Sequence, residues 1–187
     1  MLTLDETIED QTYTEQSLSM GGYDNCTFHN CNFEQADLAE VNFTECNFRQ
    51  CHFGSAALDN VGFKDVIFEG CNFLGSDFTN CSTFLLKMSF AECHMDLSML
   101  TKLKLKGTEF DNCSLKEADF TDCDLTEASF DFSNLERAIF QNCNLTKTDF
   151  REAKSYSFEP SQNILKKTKF SKDGVMGLLS RYDIIVD

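Results

Sequence analysis

Residues 25–48 read NCTFHNCNFEQADLAEVNFTECNF, and within that stretch a Phe or Leu returns at every fifth position: Phe28, Phe33, Leu38, Phe43 and Phe48. Stepping outward by five preserves the pattern. Backwards it reaches Tyr23, and forwards it runs through Phe53, Leu58, Phe63, Phe68, Phe73 and Phe78. The frame then slips by two residues within 79–84. It resumes as Leu85, Phe90, Met95, Leu100, Leu105, Phe110, Leu115, Phe120, Leu125, Phe130, Leu135, Phe140, Leu145 and Phe150, which makes 26 centres in all.

Two residues before each centre stands a small or modest side chain, as in Cys31, Ala36, Val41, Cys46, Ala56, Ser98 and Ala118, with Met88 and Leu103 the chief exceptions. The other three positions of each unit are mostly Asn, Asp, Glu, Thr, Gln or Ser. Two inward and three outward positions in five fit neither the helical period nor the alternation of a flat strand. They fit a chain that turns a corner every five residues. Four units then close a square coil, and coils stack through β-type hydrogen bonds about 4.8 Å apart. The repeats make roughly six and a half coils, a rod of about 30 Å. The expected class is an all-β quadrilateral β-helix.

The composition follows the same positional rule: 19 Phe, no Trp, one Pro and ten Cys in 187 residues. Every Cys, from Cys26 to Cys143 and including Cys81, stands at the small inward position, so the thiols read as core fillers. The N-terminus, MLTLDETIEDQTYTEQ, has no charged-then-apolar signal pattern, and no stretch approaches the roughly 20 apolar residues of a membrane span. The chain is therefore read as cytoplasmic, with reduced thiols. His29, His52 and His94 fall on outward positions of different repeats without zinc spacing. There is no phosphate loop, nucleophile elbow or HExxH motif. Carboxylates are abundant, but a solenoid of short corners offers no cleft in which a pair could work as acid and base. No catalytic residue, metal site, cofactor or small-molecule substrate is expected, and the protein is read as a binding surface.

The formal net charge of −15 argues against a nucleic-acid or anionic-membrane binder and for a basic partner. Residues 1–150 carry net −17 and residues 151–187 net +2, so the negative charge belongs to the rod. Residues 20 apart share a face, and Leu85 is expected to begin a fresh coil above Phe63. On that basis the face centred on Leu38, Leu58, Phe78, Leu100, Phe120 and Phe140 displays Asp37, Glu40, Asp59, Asp77, Asp119 and Asp122 against Lys102 alone. The opposite face, centred on Phe28 through Phe110 to Phe150, displays Glu69, Glu92, Glu109, Asp111, Asp131, Asp149 and Glu152 against Arg49 and Arg151. The face of Tyr23, Phe43 and Phe63 balances five acids with five lysines. Two opposed acidic stripes suit a mimic of two phosphate strands, whereas solubility alone would not segregate charge. Lys102, Lys104 and Lys106 interrupt the field.

The ends are of different composition. Ile8, Tyr13 and Leu18 keep the centre frame, but Glu6, Gln11 and Gln16 hold the partner position, so residues 1–20 read as a polar cap on a solenoid of 21–158. Phe158-Glu159-Pro160 breaks the repeat. Within 159–187, Ser171 or Asp173 can cap a short helix with Val175, Met176, Leu178, Leu179 and Tyr182 on its apolar side, and Ile184 to Val186 reads as a strand. Gly174 and Gly177 each weaken such a helix by roughly 1 kcal/mol relative to Ala, so packing must hold it. An apolar end on a polar rod suggests a homodimer contact.

The units ADLAE from Ala36, ADFTD from Ala118 and CNLTK from Cys143 resemble the pentapeptide-repeat family, which implies a right-handed quadrilateral solenoid over about residues 21 to 158. Two segments narrow the resemblance to the Qnr/MfpA-type quinolone-resistance proteins: the opening stretch from Asn25, and the run from Glu159-Pro160 through Asn163, Lys169-Phe170 and Leu178-Leu179 to Ile184 and Val186. That resemblance implies an end-to-end homodimer through the C-terminal helix and an acidic rod with the size and charge of B-form DNA. It further implies binding to DNA gyrase or topoisomerase IV and protection from quinolones. Plasmid-borne members carry long projecting loops, and only the slip at 79–84 stands in their place here. The other reading is an interaction solenoid with a different partner.

Overall fold

A large side chain drawn inward at every fifth residue forces the backbone round a square, and only a parallel stack of such squares pairs its N–H and C=O groups. The computed structural model, which describes residues 2–14, 18, 21–179, 182, 184 and 185, has this architecture. Ten short strands, β1 to β10 in chain order, are Leu2–Leu4, Thr7–Glu9, Gly22–Asp24, Thr27–His29, Asn42–Thr44, Asn47–Arg49, Gly62–Lys64, Val66–Glu69, Met88–Ala91 and Phe110–Asp111. They form two parallel sheets, β1-β3-β5-β7 and β2-β4-β6-β8-β9-β10. Register advances by one coil at each pairing: Phe28 lies under Phe48, Phe48 under Phe68, and Phe68 under Phe90. Above β10 the ladder continues as single parallel bridges up to Asp149↔Lys169.

The core is built of files of stacked rings. Phe28, Phe48, Phe68, Phe90, Phe110, Phe130, Phe150 and Phe170 form one unbroken file, with centroids from 4.7 to 5.6 Å apart. Tyr13, Phe33, Phe53 and Phe73 form a second. Between adjacent faces the rings meet edge to face, as Phe48 does with Phe53 at 72°. Both geometries suit the aromatic quadrupole.

The small inward position is also a donor. Cys51 Sγ donates to the Phe28 carbonyl at 3.5 Å, Ser133 Oγ to that of Phe110 at 3.0 Å and Thr148 Oγ1 to that of Leu125 at 2.8 Å. A short side chain there fits beside the ring and ties its coil to the one below. The corner falls two residues after most centres, where φ is positive: 53° at Asn30, 54° at Gln50 and 62° at Asp122, for example. Gly70 and Gly75 occupy such corners without penalty.

The slip resolves differently from the expected fresh coil. Ser82 N–H donates to the Val61 carbonyl and Lys87 N–H to that of Phe63, so residues 83–86 span what elsewhere is a single residue. Leu85, expected as a centre, instead turns outward with φ 54° and 56% exposure, Phe84 is 79% exposed, and the half-buried Leu86 packs on the core. Coils about 4.8 Å apart leave no room for surplus chain inside, so it can only bulge out.

At the N-terminus, β1 and β2 pair with β3 and β4, which stacks residues 2–14 as a polar coil with Ile8 under Phe28. Glu6 and Gln11 are exposed; Gln16 lies outside the described residues. At the other end the ladder runs on past residue 158 through Ile164 and Lys169, interrupted by a 3-10 turn at Pro160–Gln162 that Glu159 caps. The expected terminal helix is a 3-10 helix, Gly174–Leu179, whose Gly174 N–H donates to Ser171 Oγ at 3.0 Å. Its two glycines have a packing reason. A Cβ on Gly174 would collide with Tyr156 Oη, and one on Gly177 with the Tyr156 carbonyl. Ile184 and Ile185 are not in a strand, and Val186 lies outside the described residues. Among the described residues no helix is long and apolar enough to cross a membrane.

Phe110 is fully buried within its ring file, so Phe110→Ala should cost about 3–5 kcal/mol in denaturant unfolding. Phe84→Ala, on the bulge, should stay within about 0.5 kcal/mol.

Candidate binding surface

The walls of the coil offer flat faces, each a set of columns at the coil spacing. On the Leu38 face the column before the centres carries Asp37, Ala57, Asp77, Met99, Asp119 and Ile139, with Asp37 bridged to Ala57 and the run from Asp77 to Ile139 bridged coil to coil. Three of these carboxylates are oriented by the backbone: the N–H of Ala39 donates to Asp37 at 3.0 Å, that of Thr79 to Asp77 at 2.8 Å and that of Thr121 to Asp119 at 2.8 Å. Asp59 accepts from Asn80 Nδ2 at 2.9 Å, and Asp122 from Asn142 Nδ2 at 3.2 Å. Glu40 stands exposed at a corner. Among the described residues none of the six forms an ion pair, so the charge of this face is turned to solvent.

The opposite, Phe28 face brings Glu109, Asp111, Asp131 and Asp149 together near its upper end, but its charge is partly neutralised. Arg49 pairs with Glu69 at 3.2 Å. Arg151 and Lys169 both hold Asp149, at 2.8 and 3.0 Å, and the Arg151 guanidinium, with Lys169, keeps that carboxyl well below the usual range. Burial, with the repulsion of Asp149 and Asp111, raises the carboxyl of Asp131. By count of charges within the repeat the two faces are equal, at net −5 each. Pairing separates them: among the described residues the Leu38 carboxylates form no ion pair, whereas Glu69 and Asp149 are paired, which makes the Leu38 face the more openly acidic one.

Of the C-terminal residues, Val175, Met176, Leu179, Tyr182 and Ile184 are exposed, whereas Leu178 is buried within its own chain. Val186, the remaining candidate, lies outside the described residues.

His94 Nε2 lies 3.0 Å from Asp96, whose other oxygen accepts Ser114 Oγ and the Lys116 N–H. Among the described residues no group of three His, Cys, Asp or Glu side chains is placed to hold a metal ion. All ten Cys are buried and free of disulfides. Burial pushes the thiols of Cys46 and Cys143 up to about 11 and those of Cys81 and Cys123 up to about 12. A thiol reagent at about pH 8 should therefore leave the folded protein unlabelled and modify every Cys after denaturation. Rapid labelling of the native rod would contradict the packing role. Cys46→Ala should fold with a modest loss of stability.

Two family models match the sequence: a pentapeptide repeat region over residues 41–120, and pentapeptide repeats in 8 copies over residues 24–54 and 118–154. No curated protein sequence matches. Among solved structures, a trypsin-treated variant of QnrB1, a plasmid-mediated fluoroquinolone resistance protein, shares 20% identity at a TM-score of 0.50, covering 100% of this chain and 99% of that one. Full-length QnrB1 shares 19% at 0.44, covering 98% and 100%. HetL, a pentapeptide repeat protein involved in heterocyst differentiation regulation in the cyanobacterium Nostoc sp. strain PCC 7120, shares 11% at 0.40, covering 91% and 86%. The first of these is a likeness of fold. With repeat models matching from residue 24 to residue 154, and with the square ladder they describe, the chain belongs to the pentapeptide-repeat family.

Proposed function

We propose that the protein is a non-enzymatic rod whose acidic faces occupy a basic, DNA-binding surface on a type II topoisomerase, gyrase or topoisomerase IV, and in doing so shield the enzyme from quinolones. The observation that carries this reading is the Leu38 face, where Asp37, Asp59, Asp77, Asp119 and Asp122 form no ion pair among the described residues and are held by N–H donors at coil-spaced positions. A surface that has evolved to grip phosphates pairs with fixed carboxylates by the same Coulomb attraction. QnrB1, a resistance protein of like fold, is consistent with such a partner. An interaction solenoid with an unrelated partner would use the same face and leave topoisomerase untouched.

Gyrase supercoiling assays with and without a quinolone test the reading. Reversal of Asp37, Asp59 and Asp77 to Lys should weaken gyrase binding by about tenfold or more, and wild-type binding should weaken with added salt. Reversal of Asp24, Glu45 and Asp124 on the balanced face should cost less. Asp37→Asn and Asp77→Asn retain the Oδ1 acceptor of the turn and separate charge from local folding. Equal losses from the two triple variants would refute a face-specific role, and absence of gyrase binding would refute the partner.

The exposed apolar end formed by Val175, Met176, Leu179, Tyr182 and Ile184 is assigned to a homodimer contact, with Leu178 anchoring the segment to its own coil. Leu179→Asp should place an unpaired charge in that contact and yield a folded monomer in sedimentation. A variant that remains dimeric, or a monomeric wild type, would contradict the assignment.

A further inference from the structure

The Tyr23 face is balanced in total charge but not along its length. Its middle coils hold Lys64, Lys87, Lys104 and Lys106, with Lys102 at the adjoining corner, against a single carboxylate, Asp65. Lys87 is bound to Asp65. Among the described residues Lys64, Lys102, Lys104 and Lys106 form no ion pair, although the chain carries net −15. The outward bulge rises from the same coils and places Phe84 and Leu85 at its tip, 79% and 56% exposed. Beneath it lies a notch of about 240 Å³ lined by Asn42, Gly62, Phe63, Lys64, Phe84 and Leu85. Gly62 leaves room in this floor for the Asn42 amide, into which a Cβ there would run. Scattered apolar residues on a surface are ordinary. Two adjacent ones on a projecting bulge, beside an apolar notch that Lys64 lines and on a face whose neighbouring coils carry Lys104 and Lys106, form a mixed surface of the kind that docks a partner.

We infer that the middle of this face is a second docking surface, which takes an acidic peptide segment carrying an apolar side chain. Charge complementarity selects the acid: four lysines that form no ion pair among the described residues lie within three successive coils. The notch and the Phe84-Leu85 tip select an apolar residue between the acids, which a uniformly charged polymer lacks. The flanks select a peptide over a nucleic-acid duplex. The Leu38 and Phe28 faces adjoin this one on either side, and their carboxylates would repel a polyanion broad enough to overlap them, within a Debye length of about 8–10 Å. A single extended segment fits along one face without meeting them. This surface is distinct from the acidic face assigned to the topoisomerase, so either assignment can fail alone.

Fluorescence anisotropy with a short labelled peptide of alternating Glu and Leu with one central Phe tests the inference. The probes for comparison are an oligo-Glu peptide of equal length, the same peptide with Lys for Glu, and a short DNA duplex. The full-length protein should bind the Glu-Leu-Phe peptide, and oligo-Glu and the Lys peptide at least about tenfold more weakly. Lys64→Glu/Lys104→Glu/Lys106→Glu should weaken it by about tenfold or more, as should Phe84→Ser/Leu85→Ser, with the unfolding midpoint of the latter unchanged. Failure to bind the Glu-Leu-Phe peptide, or binding that both variants retain, would overturn the inference. So would duplex binding of equal strength. Wild-type self-association abolished by the Phe84→Ser/Leu85→Ser variant would overturn it too, by assigning the patch to a second copy of the chain.

Discussion

The spacing of the phenylalanine file and that of the backbone ladder are nearly the same, and the rest of the structure depends on that coincidence. Stacked rings prefer separations near 5 Å, and parallel strands repeat at about 4.8 Å. The file from Phe28 to Phe170 holds 4.7 to 5.6 Å throughout. Each ring therefore sits directly on the one below while each backbone group meets its partner. Cys51, Ser133 and Thr148 reinforce the stack with side-chain bonds to carbonyls of the coil beneath. A core this tightly indexed cannot absorb surplus chain, and the extra residues beside Phe63 therefore appear outside as the Phe84-Leu85 tip.

The same indexing turns the exterior into ruled columns. A side chain's position is set by its place in the five-residue unit and its coil number, so charge can be laid down at fixed spacing without a cleft or a moving part. The Leu38 column shows this: Asp37, Asp77 and Asp119 recur at every second coil, with Ala57 and Met99 between and Ile139 above. Pairing decides how much of that charge a partner meets. Asp149 shares its charge with Arg151 and Lys169, whereas the carboxylates of the Leu38 face share theirs with backbone and amide N–H groups that leave the negative charge in place.

The coil, its centres and its buried thiols were legible in the sequence because one positional rule covers them. The outward turn of Leu85 was not. Phe84, Leu85 and Leu86 are three apolar residues in a row, and counting by five selects the middle one, while the backbone selects Leu86 because Lys87 must return to Phe63. The left-handed corner, visible in hindsight as Asn30, Asp65, Gly70, Gly75 and Asn142 at one position of the unit, was hidden among other polar residues. The acidic face was legible as a count of charges but not as a set of pairs, since one of the two partners of Asp149, Lys169, belongs to a coil whose centres the repeat no longer marks. The terminal helix was legible as an apolar segment, yet its tight 3-10 form depends on Tyr156 pressing against Gly174 and Gly177, a contact that no linear pattern announces.

The central claim is that the acidic rod and DNA compete for one surface. The most direct measurement is displacement of a labelled DNA duplex from purified gyrase by the full-length protein, followed by anisotropy at constant ionic strength. The account predicts complete displacement with increasing protein and reciprocal displacement of the protein by unlabelled duplex, as competition for a single site requires. Simultaneous binding of protein and duplex to the same enzyme, with neither affinity changed by the other, would contradict it.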